Sequence, residues 1–234
     1  MQPLSAVTLL EVWEVARRET APRRALALLD AASSGMSWEE LGALSVGERD
    51  TRLLKLRQWA FGVEMRGLSN CPECSEAVEV TLRADEMSSA EACSSEFQVN
   101  IRGVEIRARV PSARDLLEVE NIRDAGTAQR ALLERCIGRS AADLPEGAAE
   151  LIVRRMAECD PRANIELSLE CPACSHRWIA LFDVVSYFWK EIDAWARRAL
   201  TEVHALASAY GWSESEILAL SPWRREFYLQ MVST

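Results

Sequence analysis

Apolar positions keep a helical period at both ends of the chain and switch to an alternating period in the middle. Leu9, Val12, Trp13 and Ala16 recur at steps of three and four, with charged residues mostly on the other face. This predicts an amphipathic helix over TLLEVWEVARR. Pro22 suits the first turn of a second helix, RRALALLDAA, which Ser33-Ser34-Gly35 stops. Ser37 with Glu40, and Ser45 with Glu48, place an S-x-x-E capping pattern before the next two runs. The second of these opens GERDTRLLKLRQWAFG. There Leu53, Leu56, Trp59 and Ala60 form the expected core stripe, with Asp50, Arg52, Lys55 and Arg57 largely outside it.

The period then becomes two. Val78, Val80 and Leu82 alternate with Glu79 and Thr81, which predicts a half-buried strand over EAVEVTL. The polar stretch from Asp85 to Glu96 is expected to be a surface loop or short helix. Phe97, Val99 and Ile101, then Val104, Ile106, Ala108 and Val110, flank Arg102-Gly103 as a hairpin that Pro111 ends. Its arginines 102, 107 and 109 read as a solvated sheet face, because no aromatic platform is interleaved with them. Helical patterns return in SARDLLEVENIR, TAQRALLERCIG and EGAAELIVRRMAECD. Ile165, Leu167 and Leu169 form a further strand, and Trp178, Ala180 and Phe182 another.

The last segment is helical again. Apolar residues at 185, 189, 192, 196, 199, 203, 206 and 210 make a seam along DVVSYFWKEIDAWARRALTEVHALASAYG, widened by Phe188 and Trp195. At 1.5 Å per residue this helix would be about 44 Å long. Gly211 stops it, Ser213 with Glu216 caps ILAL, and Ser221-Pro222 opens WRREFYLQMV. Arg224 and Arg225 are the only clustered basic residues on that last helix, too few for a DNA-reading helix-turn-helix.

Two C-P-x-C turns interrupt the strand patterns: Cys71-Pro72-Glu73-Cys74 and Cys171-Pro172-Ala173-Cys174, 100 positions apart. Two residues between cysteines let one tight turn aim both sulfurs at one ion, so each turn is half of a tetrahedral thiolate site. The expectation is one structural Zn²⁺ held by Cys71, Cys74, Cys171 and Cys174. Four thiolates leave no open position for water or substrate, which argues against catalysis there. Ser75 and Ser175 stand where glycine is favoured for a left-handed turn, with a hydroxyl hydrogen bond to a thiolate as one possible compensation. His176 is expected to be a bystander. Cys71 reads as following a helix and preceding a strand, which does not fit a thioredoxin-type motif. Cys93, Cys136 and Cys159 stand alone and read as small buried hydrophobes.

The expected fold class is therefore α+β and mostly helical, with short antiparallel strands at a central zinc ribbon. The expected organisation is an N-terminal helical region (1–70), a zinc-ribbon and strand region (71–182) with a helical insertion at about 112–160, and a C-terminal helical arm (183–234).

Composition narrows the function. The 234 residues carry a formal charge of −9, which gives no global attraction for phosphate backbones. Seven cysteines, an odd number, fit reduced thiols, and no signal peptide or membrane-spanning run is read. The expected location is cytoplasmic. Two histidines without a triad pattern, and no phosphate-binding glycine motif, give no support for an enzyme. Eight tryptophans suit protein recognition. The candidate anchors are Trp195, Trp212, Trp223, Arg224 and Arg225, whereas Trp189 is expected in the core. The alternative is a zinc-ribbon nucleic-acid-binding or regulatory protein.

DTRLLKLRQWAFG, DPRANIELSLECPAC, FDVVSYFWKEIDAWARR and EVHALASAYGWSESEILALSPWRREFYLQMV resemble the baseplate (hub) assembly chaperone family of T-even-type phages, found in contractile tails and tail-like injection systems. The resemblance covers nearly the whole chain and is most specific in the last 50 residues. It implies action on baseplate proteins, as a transient chaperone or as a component retained in the particle. The four knuckle cysteines and the segment Trp212 to Arg225 are the residues carried over.

Overall fold

The computed structural model describes residues 1–85, 87 and 94–232. Cys93 and most of the polar stretch before Glu96 lie outside the described residues. Four helices open the chain: α1 (Ala6–Ala16), α2 (Ala21–Ala32), α3 (Trp38–Ala43) and α4 (Val46–Phe61). Ser5, Ser37 and Ser45 cap α1, α3 and α4 by accepting from Thr8, Glu40 and Glu48 backbone N–H groups. Three more helices, α5 (Ala113–Val119), α6 (Ala125–Ile137) and α7 (Ala148–Cys159), form the insertion. The chain ends in α8 (Val184–Tyr210), α9 (Glu214–Ala219) and α10 (Pro222–Val232). Strands occur only as three antiparallel pairs among the described residues. They are β1 (Glu64–Asn70) with β2 (Ala77–Arg83), β3 (Glu96–Ile101) with β4 (Val104–Arg109), and β5 (Ile165–Glu170) with β6 (Arg177–Phe182). The fold is α+β and mostly helical, as expected.

One main core joins the two ends of the chain directly. Leu9, Trp13, Leu26, Leu53, Phe188, Ile192, Leu206 and Ile217 are all buried in it, so α1, α2, α4, α8 and α9 share one apolar interior. Three polar contacts fix α8 against this layer. Trp13 Nε1 donates to Asp193 Oδ1 at 2.9 Å, the Arg24 guanidinium lies 4.7 Å over the Trp189 ring, and Arg57 forks onto Glu191. Trp189 is a core residue, as its place in the seam predicts. The seam of α8 is buried from Val185 to Leu206, and its final member, Tyr210, is exposed.

The buried face of α4 differs from the expected one. Leu53 and Leu56 are inside, but so are Leu54, Arg49, Asp50 and Arg57. Trp59 is 39% exposed, with the Lys55 ammonium 5.5 Å from its ring, and Ala60 is exposed. Helix α4 packs on α2, on α8 and on the short turn at 161–163, so it is buried over more than a single stripe. Its polar residues go inside because each has an ionic partner there.

A second, smaller core lies under the β3–β4 hairpin, where Val99, Ile106 and Ala108 meet Ala148 and Ile152 of the insertion. The two-residue turn Arg102-Gly103 has φ of 53° and 82°, the left-handed pair that a tight hairpin needs. Asp115, almost fully buried, joins this part by accepting from Arg109 and Arg135 while capping α5 with Ser112. Cys136 and Cys159 are buried like small hydrophobes, and burial pushes the Cys136 thiol up to about 11. No helix among the described residues is long and apolar enough to cross a membrane.

Candidate metal centre

Both C-P-x-C turns are hairpin tips. Cys71–Cys74 joins β1 to β2, and Cys171–Cys174 joins β5 to β6. The first turn therefore follows a strand and not a helix, which corrects the reading of that flank. Strand β1 escapes a period-two reading because Gly67 and Ser69 take the inward positions and Leu68 points out. The signal was present at the other knuckle: shifting by 100 positions superposes β1 on the strand pattern before Cys171.

That offset holds in detail. Cys71 N donates to Glu76 O and Cys171 N to His176 O, each at 2.9 Å. Ser75 N donates to Cys71 O and Ser175 N to Cys171 O, again at 2.9 Å. Ser75 and Ser175 have φ of 62° and 59°, the left-handed conformation their position demands. Val78, Val80 and Leu82 are half-buried, as are Trp178, Ala180 and Phe182. The two hairpins are thus two copies of one unit. The inward faces of the two hairpins line a small shared space of about 160 Å³ between Leu82, Val80, Leu167 and Leu169.

At the tips the four sulfurs converge. All lie within 4.8 Å of one another, with Cys71–Cys174 at 3.7 Å and Cys74–Cys171 at 3.5 Å. Tetrahedral thiolate coordination with bonds of about 2.3 Å places sulfurs ~3.8 Å apart. A disulfide would bring two of them to ~2.05 Å, and none of the described cysteines is paired that way. Cys71 and Cys171 are buried while Cys74 and Cys174 face solvent, so an ion would sit at the rim of the fold.

Backbone amides supply the support around the sulfurs. Glu76 N–H is bonded to the Cys74 sulfur and His176 N–H to the Cys174 sulfur. The Cys171 thiol is buried, which raises its pKa, yet the N–H groups of Cys174 and Ala173 outweigh this and bring it down to about 7. Cys174 is pushed up to about 12 against the N–H of His176, because burial and the neighbouring sulfurs oppose its ionisation. Four thiols this close resist ionising together, and a bound dication removes that conflict. These four cysteines can hold a metal ion. His176 is not part of the cluster; its ring stacks 6.2 Å from Trp178.

The candidate anchors are spread over the C-terminal arm. Trp195 and Trp212 are half-buried against the main core. Trp212 stacks on Tyr210 at 4.7 Å and meets Tyr228 edge-on at 5.0 Å. Trp223 is 72% exposed and continues along α10 through Phe227 (50%) and Met231 (56%), one outward stripe at steps of four. Its ring stacks on Phe227 at 5.9 Å, and Phe227 touches Tyr228. Arg224 is exposed. Arg225 does not belong to this surface: it is buried, 3.2 Å from Glu202 of α8, and holds α10 down. Phe227 and Met231 escaped the sequence reading, although their four-residue spacing from Trp223 was there to be read.

The chain matches no family model, no curated protein and no solved structure with which it was compared.

Proposed function

We propose that the protein is a non-enzymatic assembly factor or structural part of the baseplate of a contractile, phage tail-like injection system. In this reading Cys71, Cys74, Cys171 and Cys174 bind one structural Zn²⁺, and the C-terminal arm binds other baseplate proteins in the cytoplasm. Zinc suits the donor set because it accepts four thiolates in a tetrahedron without redox chemistry. The family resemblance of the C-terminal segment supports the baseplate assignment. The observation that carries a binding role is the aromatic surface of the arm: Trp223, Phe227 and Met231 stand exposed beside the Tyr210–Trp212–Tyr228 ring cluster. Large aromatic side chains left in water at one contiguous place are what interface anchors look like before the partner arrives.

Nucleic-acid binding is disfavoured because Arg225, one of the two clustered arginines of α10, is consumed by Glu202. The test is genetic and biochemical. Deleting the gene is expected to leave sheath and tube proteins made but particles unassembled. The tagged protein is expected to pull down baseplate proteins, and Trp223→Ala with Phe227→Ala to lose them at unchanged helix content. Normal particles in the deletion, or salt-dependent DNA or RNA retention instead of protein capture, would sink the assignment.

A further inference from the structure

The three hairpins stay separate, which leaves six strand edges among the described residues, and that of β6 is unguarded. In an antiparallel pair, alternate residues turn their N–H and C=O groups away from the partner strand. Cys171 N donates to His176 O, and stepping by two along the β5–β6 register leaves the main-chain groups of Arg177, Ile179 and Leu181 facing outward. No third strand takes them up among the described residues, where β6 pairs with β5 alone. Their side chains stand on the solvent face too: Ile179 is 62% and Leu181 70% exposed.

The matching hairpin shows what a guarded edge looks like. One hundred positions earlier, β2 carries Glu79 and Thr81 where β6 carries Ile179 and Leu181. On the β3–β4 hairpin the outward positions are polar or charged, among them Gln98, Asn100, Glu105 and Arg107. Strand β1 has an exposed Leu68, but there the Tyr187 hydroxyl donates to Arg66 O at 3.0 Å and occupies the edge. Charged side chains and covering groups are the usual means of keeping one strand edge from pairing with another. Strand β6 has Arg177, and its guanidinium is drawn back onto Glu170 at 2.8 Å.

What fits an open strand edge is another strand, because its main-chain groups match donor for acceptor. A second copy of β6 fits this one about a two-fold axis through Ala180. That register sets Ile179 of each copy opposite Leu181 of the other, apolar against apolar. It also sets Arg177 opposite Asp183, which is exposed. Moving the axis to Ile179 would oppose Arg177 to Leu181 and leave its charge unmatched. We propose that two copies of the chain join β6 to β6 antiparallel, making one four-stranded sheet in the order β5–β6–β6–β5. A two-stranded hairpin is marginal by itself, and four strands with an apolar stripe are a stabler unit. The two-fold uses up both β6 edges, so association stops at the dimer. One strand and two apolar side chains from each copy cover less than the roughly 800 Å² per partner of a standard interface, so the dimer is weak and concentration-dependent. It needs neither a baseplate partner nor the α10 surface.

The test is sedimentation velocity of the purified full chain over about a hundredfold range of concentration, with amide hydrogen exchange on the same samples. The native chain is expected to pass from monomer to dimer, and the amides of Ile179 and Leu181 to gain protection as it does. The amides of Glu79 and Thr81 on β2 are the internal control and should not change. Ile179→Glu with Leu181→Thr, which copies β2 onto β6, should weaken the dimer at least tenfold at unchanged helix content. Trp223→Ala with Phe227→Ala should leave it intact. A native chain that stays monomeric throughout, a dimer untouched by the β6 variant, or a dimer lost in the α10 variant overturns the proposal. Protection of 179 and 181 that appears only on adding another protein overturns it too, in favour of a partner's strand at this edge. The exchange readout on the native chain decides the matter even if the β6 variant fails to fold. Failure here would leave protein capture through Trp223 and Phe227 unchanged, so the two readings fall separately.

Discussion

Arg57 on α4 and Glu191 on α8 meet fork to fork. Nε donates to Oε2 at 2.8 Å and Nη2 to Oε1 at 2.6 Å, while Nη1 donates to Gly62 O at the end of α4. The guanidinium is almost fully buried, and although burial opposes its charge, Glu191 holds its pKa above the usual arginine value. This contact joins residues 134 apart without any help from the cysteines. Arg57→Ala strands a carboxylate and an uncapped carbonyl, and is predicted to cost about 3 kcal/mol in urea unfolding. Arg57→Lys should recover little, because an ammonium cannot match a two-oxygen fork. A loss under 1 kcal/mol for Arg57→Ala would show that the pair is incidental.

The same contact changes what metal removal should do. The two ends of the chain pack in one core, so the knuckles are not what joins them. Chelation is predicted to release the β1–β2 and β5–β6 hairpins, each a two-stranded unit too small to stand alone. Hydrogen exchange should show lost protection at 65–70, 77–83, 165–170 and 177–182, with α8 protected from 188 to 206. Collapse of helical protection throughout would mean that the metal, and not the helical core, sets the fold.

Asp50 has a folded pKa of about 6, raised from 3.8 chiefly by burial. Between these two values the folded state holds a proton that the unfolded state has lost, so this group makes stability fall as pH rises from 4 to 6. Above pH 6 the full penalty applies, on the order of 3 kcal/mol. Asp50→Asn keeps an acceptor for Arg49 and removes the charge. It should raise Tm by several degrees at pH 7, with no gain at pH 4. A lower Tm at pH 7 would show that the negative charge is needed for folding.

Asp115 works in the opposite direction. It is buried, which opposes its charge, but Arg109 and the Ser112 N–H hold its carboxyl well below the usual range. Its contribution is fully present above pH 4 and is lost as pH falls through the depressed folded value. Asp115→Ala removes the partner of Arg109 and Arg135 and the cap of α5, with a predicted loss of about 3 kcal/mol at pH 7. The gap from the native chain should narrow in acid. A pH-independent difference would remove the ionic explanation.

Gly47 shows why packing detail stayed hidden in the sequence. Its backbone lies so close to Asp160 that a Cβ would stand 1.9 Å from Oδ1, so Gly47→Ala is predicted to lose more than 2 kcal/mol by displacing Asp160. The pattern revealed most elements, because capping serines and alternating strands are local signals. The cysteine spacing revealed the four-sulfur cluster for the same reason. Asp50, Arg57 and Asp115 were not legible: each is a charge buried together with an ionic partner, Arg49, Glu191 and Arg109, and periodicity assigns charges to the outside. Strand β1 failed for another reason, since its inward positions are filled by Gly67 and Ser69.

The measurement closest to the central claim is the metal content of the purified chain beside Cys171→Ser. The four sulfurs lie within 4.8 Å of one another, and the proposed zinc site predicts one zinc per chain and its loss on removing any one thiolate. The native metal should leave no coordination position open to added thiol or phosphate ligands. Zinc at unchanged stoichiometry in Cys171→Ser, or none in the native protein, would contradict the account.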